Sequence, residues 1–117
     1  MKFTPKQFDK FEIDLVNLGY RKYNQNLRME DFAYWKSFER DEDRKNGYSV
    51  GLLVYDLSKY PQFSQKDSIS ISLEFMLGNN DKIDRLDLTI SDDKVSVEQF
   101  EDFCKKFFEF YKINNLN

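Results

Sequence analysis

The chain has 117 residues, 40% of them hydrophobic, with 18 Lys and Arg against 21 Asp and Glu for a formal net charge of −3. That length and balance suit one globular domain, residues 1–117, with its own core. They give no one-sided basic field for a phosphate backbone and no run near the roughly 18 apolar residues of a membrane span.

Histidine is absent and cysteine occurs once, so neither an internal disulfide nor a histidine-activated serine or cysteine nucleophile can be built. Asp9, Glu12 and Asp14 interrupt the apolar runs near the start, where a signal peptide would need an unbroken one. A cytoplasmic protein is the expectation.

The first predicted element is a helix over about Pro5–Leu18. Thr4 is its N-cap, Gln7 completes a capping box, Pro5 takes the first helical position, and Phe3 with Phe8 can close a hydrophobic staple. Phe8, Phe11, Leu15 and Leu18 make one apolar stripe, and Gly19 ends the helix. A short edge strand is expected at Tyr20–Asn24.

The period then changes to two. DFAYWKSF and YSVGLLVYDL flank the charged loop ERDEDRKNG as a hairpin, with Phe38 set against Val50. SISISLEFML and KIDRLDLTIS form a second hairpin. A loop at Gly78–Asp81 pairs Leu73 with Leu86, Ile71 with Leu88, Glu74 with Arg85 and Ser70 with Thr89. VSVEQF repeats the helix-start device of FTPKQF, with Ser96 as N-cap and Gln99 completing the box, and opens a last helix over about Val97–Ile113. Its stretch FEDFCKKFFEFY gathers six aromatic rings, and on a helical wheel they share an arc of about 160° with Cys104. The predicted fold is α+β: a four- or five-stranded antiparallel meander flanked by an N-terminal and a C-terminal helix packed on one face.

Candidate chemistry is sparse. Cys104 beside Phe103 reads as a small buried hydrophobe in preference to a reactive thiol. DEDRKNG fails as a calcium loop, with Lys45 at a ligand position, Asn46 at the glycine position and Leu52 where the bidentate Glu belongs. Asp92 and Asp93 read as residues before a helix N-terminus. GYRKYNQNLR interleaves Arg21, Lys22 and Arg28 with Tyr20 and Tyr23, the residue types that hold single-stranded nucleic acid. Glu30 and Asp31 follow directly, and a charged edge strand is the preferred reading. No metal, cofactor or catalytic constellation is expected.

The outer face of the sheet is the informative one. If Phe32, Tyr34 and Phe38 face the helices with Val50, Leu52 and Val54, then Trp35, Leu53 and Tyr55 point away from them, and Met76 joins that side. Trp, Tyr and Met are enriched where proteins bind proteins. Two outcomes stay open for these four residues: an exposed patch, or one covered by a terminal segment or by the loop Ser58–Lys66.

The expected function is therefore a non-catalytic interaction domain whose partner is another protein or its own copy, with no role for a membrane, and with nucleic-acid binding through Arg21, Lys22 and Arg28 as a lesser third option. The alternative is a small ligand-binding or catalytic domain with a cleft between sheet and helices. Richness in Lys, Asn, Ile, Phe and Tyr with a single Ala suggests AT-rich coding, as in many phages and mobile elements. That origin would suit an inhibitor or immunity-type protein.

Overall fold

The computed structural model describes residues 2–24, 31–38, 47–57, 68–77, 87–91 and 94–115. The charged loop as far as Asn46, the loop Ser58–Lys66, the hairpin loop Gly78–Asp81 and the first half of the strand expected after it, with Arg85 and Leu86, lie outside them, as do Arg28, Asp92 and Asp93.

The chain runs β1 (Lys2–Phe3), α1 (Pro5–Asn17), β2 (Arg21–Tyr23), β3 (Phe32–Phe38), β4 (Tyr48–Asp56), β5 (Ile69–Leu77), β6 (Asp87–Ile90) and α2 (Val97–Asn115). β2 to β6 form the antiparallel meander, and both helices pack on one face, so the predicted α+β architecture is present. β1 is an addition: it pairs with Ile69 and Ser70, on the same edge of β5 that β6 uses further along.

Both helices start as the residue pattern requires. The Thr4 hydroxyl accepts from the Gln7 amide while the Gln7 side chain accepts from the Thr4 amide, and Ser96 and Gln99 repeat this reciprocal pair at 3.0 and 3.1 Å. Each box satisfies amides that have no partner inside the helix. α1 ends at a glycine that adopts a φ of 96°, a conformation costly for a residue with a Cβ. There Gly19 N–H donates to the Val16 carbonyl and Tyr20 N–H to the Leu15 carbonyl, the paired closure of a Schellman stop. That stop turns Tyr20 inward, where it joins Leu15 in the core.

The inner face of the sheet is built from alternate residues: Tyr34, Tyr48, Val50, Leu52, Val54, Ile71, Leu73, Phe75 and Leu77, all buried. Phe8 and Leu15 of α1, and Val97, Phe100, Cys104 and Phe108 of α2, close the core above them. Rings organise its packing: Phe8 lies 5.7 Å from Phe32, Phe108 4.9 Å from Tyr48, and Phe107 meets Phe75 edge-on at 5.6 Å. Phe3 stacks on Phe11 at 4.6 Å, one turn beyond the Phe8 contact that a simple staple implies. Its pairing in β1 carries it there.

Two registers differ from the predicted ones, each by an even number of residues, so every side chain keeps its face. Phe38 pairs with Tyr48 instead of Val50, which sets Gly51 rather than Leu53 opposite Trp35. The shift gives the indole the one position in β4 without a side chain, and it lets Phe38 stack on Tyr48 at 4.9 Å with ring planes 3° apart. In the second hairpin Leu73 pairs with Ile90, Glu74 with Thr89 and Phe75 with Leu88. β1 occupies the edge beside Ile69 and Ser70, so β6 pairs only with Leu73–Met76.

Candidate functional site: the outer sheet face

Strand alternation and register place the site residues. Across the outer face, one row runs Arg21, Trp35, Gly51, Glu74, Thr89. The row on one side is Ser37, Ser49, Met76 and Asp87. On the other side lie Tyr23, Ala33, Leu53 and Ser72, and beyond them Tyr55 and Ser70. Trp35, Leu53, Tyr55 and Met76 thus share one face, as their alternation predicts. No helix of the described residues lies over it.

The centre of this face is set by Gly51. A Cβ added there would sit 2.5, 2.6 and 2.7 Å from three adjacent carbons of the Trp35 six-membered ring. Nearly equal distances to three neighbouring ring atoms mean that the Cβ direction meets the ring's face, not its edge. The indole therefore lies flat on the strand, one π-face against Gly51 and the other turned away from the sheet. Trp35, Tyr55 and Met76 are half-buried, whereas Leu53, at 7% exposure, belongs to the floor with Ala33, Ser49 and Glu74. Hydroxyls surround the aromatic centre. Ser37, Ser49, Ser70, Ser72 and Thr89 share the face, and Ser72 reaches Ser91 at 2.9 Å.

Of the basic residues near Tyr20, Arg21 and Lys22 lie on opposite faces of the sheet. Arg21 points to the outer face beside Trp35, while Lys22 pairs with Tyr34 on the inner side. The Lys22 ammonium sits 3.4 Å from Glu12 and 4.3 Å from the centre of the Phe32 ring. The alternation of a strand separates the two, which periodicity already implies.

On the inner side, two tyrosine–carboxylate–lysine clusters fasten the helices to the sheet. Glu12 of α1 accepts from the Tyr34 hydroxyl and meets Lys22. Glu101 of α2 accepts from the Tyr20 hydroxyl at 2.5 Å and meets Lys36 at 3.6 Å. Burial first, and the bond to Glu101 next, push the Tyr20 hydroxyl well above tyrosine's ordinary range. Burial, with Glu101 adding to it, pushes the Cys104 thiol up to about 12, so the thiolate needed for nucleophilic chemistry is suppressed. Among the described residues, no group of three or more His, Cys, Asp or Glu is placed to hold a metal ion.

Two open grooves flank α2. One, of about 370 Å³, lies between α1, β1 and the start of α2, with Phe3, Phe11, Leu15, Leu18 and Val97 as its floor. The other, of about 360 Å³, places Glu98, Glu101 and Asp102 beside Phe38 and Tyr48. Two of its carboxylates have partners: Glu101 holds Tyr20 and Lys36, and Asp102 forms an exposed pair with Lys106 at 3.0 Å.

Comparison of the chain with protein-family models, curated proteins and solved structures finds no match.

One exposed surface escapes the sequence argument. Phe103 and Phe110 are 46% and 65% exposed, on the edge of the α2 aromatic arc, with half-buried Phe107 between them. An arc of about 160° is wider than the roughly 100° stripe a helix usually buries on one neighbour. That excess width is the signal that some of the rings stay outside. No helix of the described residues is long and apolar enough to cross a membrane.

Proposed function

We propose that this domain acts by binding another protein, its own copy included, through the outer sheet face centred on Trp35, with Tyr55 and Met76 beside it and Leu53 as floor. The observation that carries the reading is the Trp35 indole lying flat on Gly51. A rigid aromatic plane is thereby held half-exposed at the middle of a sheet face, with little side-chain entropy left to lose on contact. Hot spots concentrate in such aromatics, surrounded by weaker polar contacts that exclude water. The serine and threonine hydroxyls of this face suit that surrounding role. The absence of histidine and the suppressed Cys104 thiolate favour a non-catalytic role.

The test is Trp35→Ala, read by self-association in sedimentation and by capture of a partner from the native host's extract. Association or capture should fall at least tenfold, with the thermal midpoint changed by only a few degrees. Unchanged sedimentation together with unchanged capture would overturn the reading.

A second reading, a small ligand-binding or catalytic domain, draws on the groove between α1, β1 and α2. Its apolar floor and its volume of about 370 Å³ fall in the range of small-molecule sites. Leu18→Trp would fill that groove. Loss of a small-molecule thermal shift in this variant, with Trp35→Ala unaffected, would select this reading over the first.

A further inference from the structure

We draw no further inference here: the strongest candidate, the aromatic edge of α2 formed by Phe103, Phe107 and Phe110, is exposed along one side of the helix, and nothing in the structure shows what covers it.

Discussion

Gly51 and Trp35 are a single packing unit, and each explains the other. Trp35 on β3 needs a cross-strand neighbour without a side chain, and the β3–β4 register supplies one. An alanine at position 51 would drive its Cβ into the ring face at 2.5 Å, so the indole must lift or the strands must part. Gly51→Ala should cost about 1–3 kcal/mol, the range for an overfilled site. In a Trp35→Ala background the same change should be neutral or slightly stabilising, because glycine weakens a strand interior. A double-mutant cycle by urea unfolding measures this coupling. The single variant should also shift the emission of the chain's one tryptophan to the red. Equal costs in the two backgrounds would mean that the ring does not rest on Gly51.

At the scale of elements, α2 divides its own aromatic run. Phe100 and Phe108 are buried, and Phe108 packs against Tyr48, whereas Phe103 is about half exposed and Phe110 mostly so. Phe108→Ala should therefore cost about 3–5 kcal/mol. Phe110→Ala should stay within about 0.5 kcal/mol, as surface changes do. Equal losses in chemical denaturation would put Phe110 in the core and remove the exposed edge.

The contrast also marks what was legible in the sequence. Caps, helix starts, the meander and the face of each strand residue are local properties, written in residues a few positions apart. Alternation sets Trp35, Leu53, Tyr55 and Met76 on one face for that reason. Registers are not local. Phe38 against Tyr48 depends on where a tryptophan finds room, and β6 sits where it does because β1, a two-residue strand from the far end of the chain, takes part of the same edge. A two-residue strand carries no period to read. Which helical aromatics stay exposed likewise depends on how much of the arc the sheet covers.

For the whole molecule, the two helices are fastened to the sheet by the Glu12 and Glu101 clusters, and the second ties global stability to alkaline pH. Tyr20 and Cys104 both keep their protons more tightly in the folded state, chiefly through burial. In the unfolded chain a cysteine titrates near 9 and a tyrosine near 10. Above about pH 9 the unfolded state thus binds fewer protons than the folded state, and stability falls as pH rises. The contribution of these two groups is fully present below about pH 9. It is lost as the pH climbs through the thiol's folded value of about 12, while Tyr20 goes on losing its share beyond that. Urea midpoints between about pH 8 and pH 11 should fall steadily in the wild type. Tyr20→Phe lowers the midpoint at neutral pH by removing the bond to Glu101, yet it should make the alkaline decline shallower, and Cys104→Ala should do the same from a lower starting pH. The slope is the decisive reading, because a merely weakened core lowers every midpoint without flattening the curve. An alkaline slope identical to the wild type's in both variants would show that neither group holds its proton through the contact of α2 with the sheet.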